Sequence, residues 1–375
     1  MYNFLRKITG ILLRYFQLYF FLERYRFNKQ RNNILNYKKI ESKLRVFSHS
    51  NFSGIDNGSV LIVVPKVNSD INLWRHSKGN IYYELFKSGM EHIPNVDFNI
   101  HFVETALDNW QNLLSERISE LKPDFLIMNP ETDPDNSGNW SIDEFVIRLN
   151  TEWEGKIIWL SIDSVLRTHY LRIDRLSKLR SGSILIAIDR KPKFKLRYFD
   201  RIIAPIFLPM SCETIQAIDD LPKSEIDNEY EISFLGTLYG YRKILINQLL
   251  TQEVKIAVNP QHSISRSVGY KYYLSELRNS KLTVNFSRNS GQSEMQLKSR
   301  ILEAAIFGCF VATDENKIWR EFFPDKIGIF YFKNVKALKL IIRQLDCLEN
   351  QSQIREILKS HARDRINNLI WDAIR

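Results

Sequence analysis

From residue 60 onward, short apolar runs alternate with longer amphipathic stretches. Residues 60–65 (VLIVVP), 98–103, 124–130 (DFLIMNP), 156–163 (KIIWLSID), 183–189 (SILIAID) and 201–207 (RIIAPIF) are six such runs. Each has strand length and ends near polar or turn-forming residues. A run that is apolar at nearly every position, such as 60–65, predicts a strand covered on both faces, as in a parallel sheet. A helix is expected over 110–121. Residues 209–229 are polar and acidic with two prolines and read as a linker. A second series follows at 231–236 (EISFLG), 254–258, 282–286, 309–313 and 327–332, and helices over 335–345 and 351–373 close the chain. Alternating strands and helices predict an α/β chain of two Rossmann-like, doubly wound domains. They would occupy 58–210 and 229–345, after an arm at 1–50 and before a closing helix at 346–375.

Residues 281–315 (KLTVNFSRNSGQSEMQLKSRILEAAIFGCFVATDE) carry the most chemistry. They read as a strand, a polar loop with Gly291, a helix from about Met295 to Phe307, a Gly308 stop and a second strand. Two buried strands around an amphipathic helix should lie parallel. Lys298 and Arg300 fall in the first two helical turns, where free backbone N–H groups and the helix dipole already favour an anion. This combination suits a diphosphate, and Glu303, one turn on, suits a ribose diol.

The run QLKSRILEAAIFGCFVATDE resembles the donor-binding segment of GT-B glycosyltransferases, and most resembles the branch grouped with the spore-maturation protein CgeB. YEISFLGTLYGYRKILINQLL resembles the strand, Gly-containing turn and Arg-bearing helix that open the C-terminal domain there. YKYYLSELRNSKLTVNFSR is similar to the family's helix and strand before the donor loop. The resemblance covers about residues 229–335 and implies a nucleotide-sugar donor, with Arg300 and Glu303 at matching family positions. The rule that open α/β sheets gather ligands at the C-terminal ends of strands selects Gly236, Arg242 and Arg288 as further donor-binding candidates, beside Lys298 at the helix start. The resemblance also implies an acceptor bound by the loop after residue 65 (KVNSDINLWRHSKGN), where Asp70 or His76 is placed to deprotonate an acceptor hydroxyl. Asp163, closing WLSIDS, matches a family aspartate at the cleft and alternatively caps the next helix. Many retaining members carry two glutamates with seven residues between them. Here eight separate Glu294 from Glu303, so the resemblance assigns no anomeric outcome.

Charge refines the picture. The net charge is +10, and residues 1–45 alone hold eleven Lys/Arg against two Glu. The body is therefore nearly neutral and lacks a general footprint for DNA or RNA, so no nucleic-acid partner is expected. In residues 1–27 a basic face (Arg6, Lys7, Arg14, Arg24) opposes Leu5, Ile8, Leu12, Phe16 and Phe20, and the longest apolar run is only 18–22. That pattern fits an interfacial helix on an anionic membrane better than a span or a signal peptide. Packing on the protein's own core is the alternative. Three widely spaced cysteines offer no disulfide framework and indicate a reducing, cytoplasmic setting.

Asp133–Glu144 has the spacing of a calcium loop, yet Pro134 inside it and a strand before it argue instead for a turn and a Ser141–Glu144 capping box. Neither a catalytic metal nor a cofactor is expected. The functional expectation is a metal-independent glycosyltransferase acting on a glycan or lipid-linked acceptor at the cytoplasmic membrane face. The alternative is a non-catalytic relative that kept the fold as a binding or assembly protein.

Overall fold

The computed structural model describes residues 55, 57–66, 73–104, 109–130, 142–161, 167–188, 198–204, 206–221, 232–236, 238, 240–250, 256–258, 270–287, 297–324, 327–345, 351–366 and 369–374. The basic arm, Asp70, Asp163, Arg288 and the calcium-like loop up to Ser141 lie outside them.

The first sheet holds β1 (Gly58–Lys66), β2 (Val96–Glu104), β3 (Phe125–Met128), β4 (Lys156–Ser161), β5 (Ser183–Ala187) and β6 (Phe199–Ile203), in the order β2-β1-β3-β4-β5-β6. The second holds β7 (Ile232–Phe234), β8 (Ile256–Val258), β9 (Leu282–Asn285), β10 (Phe310–Asp314) and β11 (Ile329–Phe332), in the order β11-β10-β9-β7-β8. Every pairing is parallel. In both sheets the direction of winding reverses beside the first strand, between β1 and β3 and between β7 and β9. This is the doubly wound α/β architecture the apolar runs predict, and each expected strand is present.

Strand parity divides the first domain's core into two layers. Leu61, Val63, Leu126, Met128, Trp159 and Leu185 point to one face, which α2 (Trp110–Leu121), α3 (Ile142–Glu152) and α4 (Arg167–Leu179) cover. Val60, Ile62, Val64, Ile158, Leu160 and Ile186 point to the other. There α1 (Leu73–His92) supplies Tyr82 and Leu85, and the last helix of the chain, α12 (Leu369–Ile374), supplies Ile370, Trp371 and Ile374. The Trp371 ring meets Phe98 edge-on at 5.2 Å, and its Nε1 donates to Ser88 Oγ at 3.0 Å. Its fit is close: a Cβ on Gly89 would fall 2.5 Å from the indole. The closing helix thus returns to the first domain through Trp371.

The closing helix is described as α11 (Gln351–Ile366) and α12, and residues 367–368 between them lie outside the described residues. Two expectations are corrected. The linker contains a helix, α5 (Cys212–Asp219), because Ser211 Oγ accepts from the Thr214 N–H and Ile215 and Ile218 form a buried stripe. The stretch holding His76 and Gly79 is no loop: α1 starts at Leu73, since it holds no proline and its two glycines, Gly79 and Gly89, are each tolerated in a helix interior at a cost of about 1 kcal/mol.

Trp371→Ala should lower stability by about 3–5 kcal/mol through the cavity it leaves. Chemical denaturation checks this, with faster amide exchange in β1 and α1 as the local signature.

Candidate functional site

The second sheet places its chemistry at the β7/β9 reversal, where open α/β sheets receive ligands. The connecting helices here are α6 (Gly240–Leu250), α7 (Tyr270–Asn279), α8 (Ser299–Ile306), α9 (Lys317–Phe322) and α10 (Val335–Leu345). β7 ends at Phe234 and is followed by Leu235 and Gly236. β9 runs out through Phe286 and Ser287, whose N–H donates to the buried Asp314 at 2.6 Å. Asp314 closes β10, so it fixes the point where the chain leaves β9.

Two arginines enter this crevice from opposite sides. Arg242 of α6 is buried and donates from Nη2 to the Phe286 carbonyl at 3.3 Å. Arg300, second residue of α8, lays its guanidinium 5.8 Å from the Phe234 ring centroid and directly against Gly236. A Cβ on Gly236 would sit 2.8 Å from Arg300 Nη2, so a side chain there would displace the guanidinium from its present place. The expected helix start at Met295 is corrected to Ser299, and residues 288–296 lie outside the described residues. Lys298 takes the N-cap position with extended backbone (φ −93°, ψ 124°) and no side-chain cap bond. The first turn of α8 therefore begins beside Arg300. At its other end α8 stops as expected: Gly308 has φ +69°, its N–H donates to Ala305, and the Cys309 N–H donates to Ala304.

Glu303 faces α7. It is 8 % exposed, and its two oxygens accept from Tyr270 Oη at 3.1 Å and Tyr273 Oη at 2.7 Å. Burial raises its pKa, while Tyr273, the Arg300 charge, Tyr270 and Ser299 pull it back down. Both tyrosines are pushed well above their ordinary value, first by burial and next by the Glu303 charge, so they act as donors.

A small cavity lies between the domains, walled by Tyr270, Leu302 and Glu303, by linker residues 208–210, and by Glu84 of α1. Glu84 is 4 % exposed and accepts from the Ser211 N–H (2.8 Å), the Ser211 hydroxyl (3.1 Å) and the Thr214 hydroxyl (2.6 Å). It therefore caps α5 from another domain, where a carboxylate also meets the positive end of the helix. Its pKa too is raised by burial. Glu91 accepts from the Cys212 N–H at 3.0 Å, and Lys87 pairs with Glu213 at 3.1 Å.

The structure thus brings Gly236, Arg242, Arg300 and Glu303 together, with Lys298 at the α8 cap. His76 falls in the first turn of α1, and its side chain lies outside the described residues. No cluster of three or more metal-ligating side chains exists among the described residues. Sequence reasoning missed Glu84, Tyr270, Tyr273 and Asp314. The tyrosine spacing, three apart on one helix, was the only local signal.

Residues 217–369 match a family model described as glycosyl transferase-like. No curated protein sequence matches the chain significantly. Three solved structures share the fold at low identity. Sucrose-phosphate synthase from Thermosynechococcus elongatus is 11% identical, with 84% of this chain and 96% of that one covered and a TM-score of 0.52. HepE from Anabaena, in complex with UDP-glucose, is 9% identical, with 83% and 96% covered and a TM-score of 0.52. An alpha-glucosyltransferase in complex with UDP-glucose and DNA is 7% identical, with 83% and 95% covered and a TM-score of 0.53. The fold is that of GT-B glycosyltransferases. The DNA-bound neighbour overturns one expectation: the nearly neutral body does not exclude nucleic acid, because net charge says nothing about a local groove.

A carboxyl whose pKa folding raises stabilises the fold below its unfolded value and loses that contribution as pH rises through the folded value. Glu303 is such a group, with an ordinary value of 4.5. Glu303→Gln should therefore gain stability relative to wild type as pH rises from 4.5 toward neutral, read by urea denaturation at each pH.

Proposed function

With residues 217–369 glycosyl transferase-like and the whole chain GT-B in fold, we propose that this protein is a glycosyltransferase using a nucleoside-diphosphate sugar. The observation that carries this reading is the convergence of Arg242, Arg300 and the N-terminus of α8 at the β7/β9 reversal, with Glu303 one helical turn away. Cations and backbone N–H groups suit the diphosphate, and a buried carboxylate suits the ribose diol. Two of the fold neighbours are in complex with UDP-glucose, which supports the same donor class here.

In the transfer, an acceptor hydroxyl oxygen bonds to the anomeric carbon as the bond from that carbon to the diphosphate oxygen breaks. Negative charge then grows on the leaving diphosphate, where Arg300, Arg242, Lys298 and the α8 amides are placed to meet it. These groups stand in for the role a metal ion performs elsewhere, so the proposed reaction is metal-independent. The acceptor proton leaves to a base on the first domain, with Asp70, His76 and Asp163 as the proposed candidates. The acceptor proposed is a glycan or a lipid-linked glycan at the cytoplasmic membrane face. The support for that location is the basic, aromatic-rich composition of residues 1–45, which suits anionic headgroups.

Arg300→Ala and Glu303→Ala should each weaken UDP binding by about 10–100-fold, the loss of one charge-assisted contact. Unchanged affinity in both, measured by calorimetry, would place the donor elsewhere. Deleting residues 1–50 should abolish sedimentation with phosphatidylserine vesicles and leave UDP affinity intact. Retained vesicle binding would exclude the arm as the membrane contact.

A further inference from the structure

Glu303 is the carboxylate assigned to the ribose in the proposed donor site, and it is 8 % exposed with no ligand bound. A buried carboxylate without partners would take up a proton and cease to accept two hydrogen bonds. The structure meets this with a pair of tyrosines from another helix. Tyr270 and Tyr273, three residues apart on α7, stack at 5.9 Å with 20° between their planes. Each gives its hydroxyl to a different oxygen of Glu303, at 3.1 and 2.7 Å. Tyr273 also interacts with Arg300, so it bridges the proposed ribose and diphosphate partners.

We propose that Tyr270 and Tyr273 are positioning residues that hold the Glu303 carboxylate oriented and charged for the ribose diol of the donor. This rests on the donor-site reading above. A vicinal diol presents two O–H donors to the two oxygens of one carboxylate, and the tyrosine pair presents the same two donors from the protein side. The pair thus satisfies the carboxylate when the site is empty and fixes its plane when the diol arrives. An ionised carboxylate has about four acceptor positions on its two oxygens, so tyrosine and ribose hydroxyls can share it.

Among the described residues, the charged and titratable neighbours are these. Arg300 precedes Glu303 on its own helix, and α7 contributes the two tyrosines. Glu84 of α1 acts on Tyr270 across the cavity. On α11, Arg355 and Arg363 lie at the opposite end of α8, against Gly308 and the Ile306 carbonyl. Arg300 and the tyrosines favour the ionised form of Glu303, against burial.

The test uses the full chain, Tyr270→Phe, Tyr273→Phe and the double variant, each lacking only hydroxyl oxygens. In the unliganded protein, the Glu303 carboxyl is followed by carbon NMR with labelled glutamate. Its midpoint should move to higher pH in Tyr273→Phe and further in the double variant. An unmoved midpoint overturns the proposal. The second readout is calorimetry with UDP and 2′-deoxy-UDP between pH 5 and 8. Tyr273→Phe should bind UDP about tenfold more weakly at neutral pH, recover part of that loss as pH rises, and lose preference for UDP over its deoxy form. Tighter UDP binding would show that the hydroxyls compete with ribose, which also overturns the proposal. If the carboxyl midpoint shifts while UDP affinity stays as in wild type, the tyrosines hold Glu303 but the ribose does not meet it, and the donor-site reading is what fails.

Discussion

A parallel sheet has to be covered on both faces, and this requirement organises the chain. In the first domain the strands run on past the winding reversal through β4, β5 and β6, and α2, α3 and α4 all go to one face. Among the described residues of the first domain, α1 covers the other face. It is joined there by α12, which comes from much later in the sequence and brings Trp371 onto Phe98 and Ser88. The same passage carries α11 along the donor domain, where Arg363 bonds the Ile306 carbonyl and Asp219 of the linker helix. One geometric need thus fixes how the two domains are joined.

Helix α1 is where this joint becomes chemistry. Along one face it presents Glu84, Lys87, Ser88 and Glu91, which engage the linker helix and Trp371. Glu84 then borders the cavity behind Glu303 and Tyr270. Two buried carboxylates from different domains therefore share one enclosed volume, each satisfied by hydroxyl donors. Neither resembles the exposed acids on the helix surfaces. Burying them is costly unless every oxygen is bonded, so their full set of partners marks the region as structurally determined rather than accidental.

Much of this was legible in the residues. Apolar runs located each strand, and Gly308 marked the end of α8 because the helix needs a left-handed residue there. Gly236, Arg242, Arg300 and Glu303 were selected by their places at strand ends and a helix start, and the fold brings them to one crevice. Other features were hidden for physical reasons. The partners of Glu84 lie 127 and 130 residues away, so nothing near it in sequence announces a cap. The tyrosine pair reads as ordinary helix surface until α8 packs beside it. Helix α5 was masked by the polar composition around it, although Ser211 is a good N-cap and Ile215 and Ile218 share a face. His76 was assigned to a loop because polar residues there outweighed the absence of a helix breaker.

The return of Trp371 to the first sheet has a consequence for synthesis in the cell. The last strand of that sheet ends at Ile203, and α12 begins at Leu369. At about 5–20 residues per second, a ribosome needs on the order of 10–30 s to make the intervening chain. Throughout that interval the cluster of Val60, Ile62 and Ile158 lacks the members that α12 contributes to it. The earlier of the two domains is therefore completed only after the later one has been made. A nascent chain of this protein should be a client for chaperones that shield apolar surface until α12 has been made.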